Sequence, residues 1–286
     1  MKAKYVNPFT DFGFKKIFGE EASKPALLDF LNALLTEAHI KTLTFKNTEQ
    51  LEEAADGRKV ILDIYCENEQ GEKFIVELQK AQQNFFKERT IYYSPFPIRE
   101  QVEKGDWNFD LKAIFCIGIL DFTFKDYGSD TDKDKVVHEI KLKNQEGKTF
   151  YDKLTYIYLE MPNFRKTEGE LQSRLDKWLY FIKYLEDFQN IPKIFKDESV
   201  FVAAFEKAEL SKFNVTEYER YESSLKTYRD WHNVIETAKS DAEMKGRVQG
   251  EKETTVKVAK SLKDNGVTTD VISKATGLSA AEIEGL

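Results

Sequence analysis

Hydrophobic and polar positions follow two rhythms in this chain, one helical and one of period two. Phe14, Ile17 and Phe18 fall at helical spacing behind Thr10 and Asp11, either of which suits the cap of a short helix. Pro25 opens a second helix, whose apolar stripe is Leu27, Leu28, Phe30, Leu31, Leu34 and Leu35. The period then shortens to two. Residues 40–46 alternate around Leu43 and Phe45, and the runs 59–67 and 73–80 read as two more strands. Helical spacing returns over 82–104 around Phe85, Phe86, Arg89, Ile91, Tyr92 and Tyr93; Pro95 and Pro97 interrupt it, and Gly105 stops a second piece that begins at Ile98. Residues 112–124 hold an unbroken apolar run, the pattern of a central strand covered on both faces. A charged loop at 126–135 leads to an expected hairpin (136–143 with 149–151, turning at 144–147) and a further strand at 154–160.

From about residue 168 the strand rhythm stops. Leu171, Leu175, Trp178, Leu179, Ile182 and Leu185 make a helical stripe, and helical patterns continue over 197–209 and 213–240. Gly246 and Gly250 then stand among Lys, Glu and Arg, where each weakens a helix by about 1 kcal/mol relative to alanine. Beyond them, Gly266 and Gly277 separate three short pieces, with Thr268 to Asp270 and Ser279 as caps, in the outline of a small helix-turn-helix-like unit. The order of elements predicts an α/β fold: a mixed central sheet flanked by helices, with an all-helical C-terminal extension. Four segments are expected: a core over 1–165, a helical region over 166–240, a charged Gly-spaced linker or exposed helix over 241–257, and the small unit over 258–286.

Composition narrows the function classes. Hydrophobic residues at 41% and aromatics at 13% suffice for a packed core, so wholesale disorder is excluded. The net charge of −7 excludes a uniformly basic nucleic-acid-binding surface, leaving only a local one. No stretch is apolar enough to cross a membrane, and no signal-peptide core follows Met1, so the chain reads as cytoplasmic. Cys66 and Cys116 sit in apolar strand runs and read as buried thiols. His39, His138 and His232 are scattered without ligand spacing. No phosphate-binding loop or dinucleotide fingerprint occurs, so no nucleotide cofactor is expected.

The candidate chemistry lies in the strand pair 59–67 and 73–80. Asp63 and Glu77 stand in apolar company, where a carboxylate is costly unless paired, hydrogen-bonded or bound to metal. Whether they share a face depends on hairpin parity. A two-residue turn at Gln70-Gly71 puts them on opposite faces. A three-residue loop, Glu69-Gln70-Gly71, sets Asp63 across from Glu77 and places glycine where a left-handed backbone is needed. Opposed β-carbons then lie about 4.5–5.5 Å apart, and like charges that close require a cation or a lysine between them. Oxygen ligands without His or Cys favour Mg²⁺ or Mn²⁺, ions suited to phosphodiester hydrolysis. Gln79 points to the same place. On a regular strand Lys80 points away and reaches the site only through a local bulge.

Asp63 with Glu77-Leu78-Gln79 on a hairpin, between helices, resembles the PD-(D/E)XK nuclease core, with Gln79 where that motif carries lysine. The ordered set also includes residues 11–19 (Asp-Phe-Gly-Phe-Lys-Lys-Ile-Phe-Gly), 89–93 (Arg-Thr-Ile-Tyr-Tyr), Gln101 with Gly105, residues 117–122 (Ile-Gly-Ile-Leu-Asp-Phe) and Thr276-Gly277-Leu278-Ser279. Together these are similar to the Rpn recombination-promoting nucleases, also described as PD-(D/E)XK nuclease family transposases. That resemblance implies a restriction-endonuclease-like core and a metal-dependent DNA endonuclease acting on double-stranded DNA. It implies Asp63 and Glu77 as ligands of Mg²⁺ or Mn²⁺, Gln79 in the lysine's place, Asp11 near the same centre, and Lys16 and Arg89 on DNA phosphates. A homodimer is compatible with it. Because an amide cannot act as a cation, the alternative is a catalytically impaired nuclease-fold protein that binds DNA or a protein partner.

Overall fold

The computed structural model describes residues 3–36, 38–51, 59–80, 86–102, 108–124 and 134–286. Helix α1 (Asp11–Phe18) begins at Thr10, whose Oγ1 accepts from the Gly13 N–H at 3.0 Å, so Thr10 rather than Asp11 is the cap. Helix α2 (Lys24–Leu34) follows with proline in its first turn, where the missing N–H is not needed.

The strands are β1 (Leu43–Phe45), β2 (Glu49–Leu51), β3 (Lys59–Ile61), β4 (Ile64–Asn68), β5 (Lys73–Gln79), β6 (Ile114–Leu120), β7 (Val137–Lys143) and β8 (Thr149–Glu160). Among the described residues, six of them form one mixed sheet in the order β1-β4-β5-β6-β8-β7, while β2 and β3 pair separately. Strands β5, β6 and β8 run parallel, whereas β1, β4 and β7 are antiparallel to their neighbours. The run 59–67, expected as one strand, is thus two, bending at Asp63 where the chain passes from one sheet to the other. The region 149–160, expected as two strands, is one, with a register shift opposite Lys141 to Lys143.

Strand β5 sorts its side chains between two cores. Phe74, Val76 and Leu78 join Ile117, Ile119, Ile157 and Leu159 on one face. Helices α1, α2, α5 (Arg174–Tyr184) and α7 (Ser199–Ala208) cover that face through Phe14, Ile17, Phe30, Trp178, Phe181 and Phe201. The helical segment after residue 166 therefore shares the core of the sheet. Ile75 lies on the opposite face with Tyr65, Cys116, Tyr156 and Tyr158, under α3 (Phe86–Tyr93) and α4 (Pro95–Arg99). Two hydroxyl contacts fasten this layer, Thr90 to Tyr158 at 2.6 Å and Ser94 to Tyr156 at 2.8 Å. The expected helix stop at Gly105 and the loop over 126–133 lie outside the described residues.

After the short α6 (Lys193–Lys196) and α7, helix α8 runs for 50 residues, Val215–Asp264. The chain divides into two compact units, Met1–Tyr228 and Arg229–Leu286. In the first, α8 buries Tyr221 and Leu225. In the second, the stretch 241–257 is helical throughout. The end of α8 packs with α9 (Thr269–Thr276) and α10 (Ala280–Glu284) around Ala259, Ile272 and Ile283. Gly277 closes α9 in the left-handed conformation, and Ser279 opens α10 with a capping box.

Candidate active site at the acidic strand pair

The hairpin has the three-residue parity. Ile64 pairs with Val76 and Glu67 with Lys73, a register that continued by one residue sets Asp63 opposite Glu77. Asn68 donates to the Glu72 carbonyl at 3.0 Å, and Gly71 has φ +81°. The Asn68 side chain accepts from the N–H groups of Gln70 and Glu72 and so holds the loop shut. Local turn chemistry thereby decides which side chains meet at the far end of the hairpin.

There the two carboxylates are tied to each other's strand. The Asp63 N–H donates to Glu77 Oε1 at 3.0 Å, and the Leu78 N–H donates to Asp63 Oδ2 at 2.8 Å. The Glu77 side chain is buried and Asp63 is half-buried. Glu77 lies beside Gly118 of β6, which places no side chain between it and Tyr158. Burial first, and the Asp63 charge second, push the Glu77 carboxyl up to about 8, against the pull of the Asp63 N–H bond and the Arg89 and Lys15 charges. Asp63 is raised as well, chiefly by desolvation, with the Leu78 N–H bond and Lys15 opposing. Two acids are thus held where their ionised forms are under-compensated.

The remaining candidates fall in different places. Gln79 is buried on the Glu77 face, and its Oε1 accepts from Arg89 Nη2. Arg89 of α3 therefore reaches into the site, with the rings of Phe86 and Tyr93 under its guanidinium. Asp11 is exposed in the first turn of α1 and pairs with Lys15 at 3.0 Å. Lys16 turns elsewhere: its ammonium lies 2.6 Å from Glu217 and 3.1 Å from Glu20, fastening α1 to the start of α8.

Two further cations stand near the pair, and only Lys80 is visible in the strand pattern. The Lys15 ammonium stands 3.9 Å from Asp63 Oδ1 as well as against Asp11. It answers the requirement for a lysine beside the opposed carboxylates. Its only signal in the sequence is the four-residue step from Asp11, which reads as a solvated surface pair. The backbone bends after Gln79, and the Lys80 ammonium is sensed by Asp11, Asp63 and Lys15; burial lowers its pKa. A further link runs through Asp121, just beyond β6. Its N–H donates to the Gln79 carbonyl at 2.9 Å and its carboxylate accepts from the Tyr228 hydroxyl at 2.8 Å. Among the described residues, no group of three or more His, Cys, Asp or Glu side chains is placed to hold a metal ion, and no helix is long and apolar enough to cross a membrane.

A mixed sheet between helical layers, with opposed carboxylates on its central hairpin and cations around them, defines an α/β nuclease core. The family model for PD-(D/E)XK nuclease family transposases matches residues 8–238. The chain belongs to that family. No curated protein and no solved structure matches it significantly.

Proposed function

We propose that the protein is a divalent-metal-dependent DNA endonuclease, with Asp63 and Glu77 as the metal ligands. The observation that carries this reading is the opposed acidic pair. Each carboxylate has one oxygen committed to a backbone N–H, and burial holds both above their ordinary pKa, the Asp63 charge adding to it at Glu77. The donor set suits a hard ion. Mg²⁺ characteristically takes one or two carboxylates and completes its shell with water and substrate phosphate, so a third protein ligand is not required. Bound there, the ion supplies Lewis acidity, polarising the phosphoryl oxygen and making water more acidic.

The chain's own groups do the rest. Gln79, oriented by Arg89, offers a neutral amide beside Glu77, suited to positioning water or phosphate. Arg89 brings the positive charge on the α3 side and Lys15 brings it on the α1 side, so an anionic backbone meets cations although the whole chain is acidic. Incubation of the purified chain with supercoiled DNA and Mg²⁺ or Mn²⁺ tests the reading. Nicking that disappears in Asp63→Ala and Glu77→Gln is the expected result, and nicking that survives in Asp63→Ala overturns the assignment. A second reading, a nuclease-fold protein that binds DNA without cutting it, is favoured by the amide at Gln79. It predicts DNA retention with no nicking under either metal.

A further inference from the structure

The acidic pair concentrates negative charge where an anionic phosphodiester must approach. At the motif's lysine position stands Gln79, buried and held by Arg89, so strand β5 itself brings no cation to that point. The ammonium that reaches Asp63 comes from another element. Asp11 and Lys15 are one turn apart on α1, and their 3.0 Å pair keeps the Lys15 ammonium 3.9 Å from Asp63 Oδ1.

The base of that side chain is rigid. Thr10 caps α1, and Phe14, Ile17 and Phe18 are buried in the core. Gly13 packs so closely on the preceding turn that a Cβ there would lie 2.3 Å from the Asn7 carbonyl oxygen. The tip is different: 39% of the Lys15 side chain is exposed, as a group that must meet substrate requires. Lys16 lacks that freedom, lying against Glu217 and Glu20. Lys80, beyond the end of β5, loses more to desolvation than the nearby acids return, whereas the Lys15 ammonium is paired with Asp11 and stands beside Asp63.

We infer that Lys15 is a catalytic residue of this site. Its ammonium takes the place of the missing motif lysine and meets the non-bridging oxygens of the scissile phosphate on the Asp63 side, with Asp11 as its positioning residue. The inference rests on the nuclease reading. In the hydrolysis, the oxygen of water bonds to phosphorus and the bond from phosphorus to one sugar oxygen breaks. The attacking water releases a proton to solvent, and the leaving oxygen takes one up. Lys15 keeps its protons throughout and offsets the charge that gathers on the non-bridging oxygens in the transition state, where a fixed cation acts more strongly than a neutral amide.

The test uses the full chain with supercoiled plasmid and Mn²⁺ under single-turnover conditions, together with Mn²⁺ affinity measured without DNA by electron paramagnetic resonance. Lys15→Gln is expected to lower the rate constant by about 10²–10³-fold. It should also bind Mn²⁺ several-fold more tightly, because a cation beside Asp63 has gone. Lys15→Arg should restore the rate to within about tenfold of wild type, since the charge survives while the geometry of the head group changes. Asp11→Asn should fall between the two. A purely structural Lys15 would instead lose rate, Mn²⁺ affinity and melting temperature together, and that pattern overturns the inference. Lys15→Gln at the wild-type rate, with Asp63→Ala inactive, also overturns it and leaves the nuclease reading intact. Wild-type chain that nicks under neither metal overturns both.

Discussion

The acidic pair should make the metal-free protein less stable as the pH rises. Glu77, buried beside Asp63, titrates at about 8 in the fold against an ordinary value of 4.5. Between those values the folded chain holds a proton that the unfolded chain has released, so unfolding releases a proton and stability falls with increasing pH. From pH 5 to pH 8 that difference is worth at most about 4 kcal/mol, at ~1.4 kcal/mol per pH unit. For a unit of this size, about 2–4 °C of melting temperature goes with each kcal/mol, so a fall on the order of 10 °C is expected. The carboxylates whose pKa is depressed by partners, Glu67 beside Lys73 and Asp176 beside Lys166, act in the opposite sense. Their stabilisation is lost only as the pH drops below the ordinary carboxylate range, outside this window. The assay is differential scanning calorimetry in a chelator across pH 5–8. Glu77→Gln retains an acceptor for the Asp63 N–H but cannot titrate, so its profile should be much shallower, with the raised Asp63 carboxyl leaving a residual slope of the same sign, and it should melt above wild type at pH 8. Saturating Mn²⁺ should flatten the wild-type profile by favouring the ionised pair. A slope that persists unchanged in Glu77→Gln would refute the reasoning.

Three structural predictions accompany it. Gly71→Ala forces a side chain into φ +81° and should lower the urea-unfolding free energy by about 1 kcal/mol, loosening the loop that sets the Asp63–Glu77 register. Gly13→Ala would drive a Cβ to 2.3 Å from the Asn7 oxygen and 2.7 Å from Thr10 Oγ1, so it should cost about 3 kcal/mol or more by the same measurement and displace α1. Arg89→Ala leaves the buried Gln79 amide without the guanidinium that binds it, which should cost about 1–3 kcal/mol in chemical denaturation and reduce plasmid nicking.

The hairpin was readable in advance because every quantity it depends on is local. Strand period two fixes which side chains share a face, and loop length fixes parity. The glycine at position 71 marks the left-handed residue that a three-residue loop demands. Those local facts reduce the question to two loop lengths, and the observed register takes the three-residue one, with Asp63 across from Glu77. The helical stripes of α1, α2 and α5 were legible for the same reason, since each is a single-element periodicity. Where two elements compete for the same residues, that reasoning loses its hold. The run 59–67 has unbroken strand character, yet Asp63 bends between the β2–β3 ribbon and the main sheet. Gly246 and Gly250 weaken a helix intrinsically, yet they sit inside α8 with open space where a side chain would be. Of the two readings open for 241–257, linker or exposed helix, the structure has the helix, and the glycines mark only its unpacked positions.

The cations are the more instructive failure. Lys15 and Lys16 are neighbours with the same chemistry, and nothing local says which one faces the acids. Their roles are assigned by the rotation of α1, which is set by the burial of Phe14, Ile17 and Phe18. On that rotation Lys16 turns toward Glu217, 201 residues later, and Lys15 toward Asp63. Its place in the ordered motif assigns Lys16 to a DNA phosphate, and in the structure its ammonium lies between Glu217 and Glu20. The resemblance assigns Arg89 to a phosphate, and in the structure it holds the Gln79 amide, a contact that depends on α3 packing on the sheet face of Ile75, Cys116 and Tyr158. A motif read along one strand therefore locates the carboxylates, whose spacing the strand sets. It does not locate their counter-charges, which arrive from helices packed by unrelated apolar contacts. Gln79 thus leaves β5 without a cation at that point, while α1 carries the Lys15 ammonium to 3.9 Å from Asp63 Oδ1.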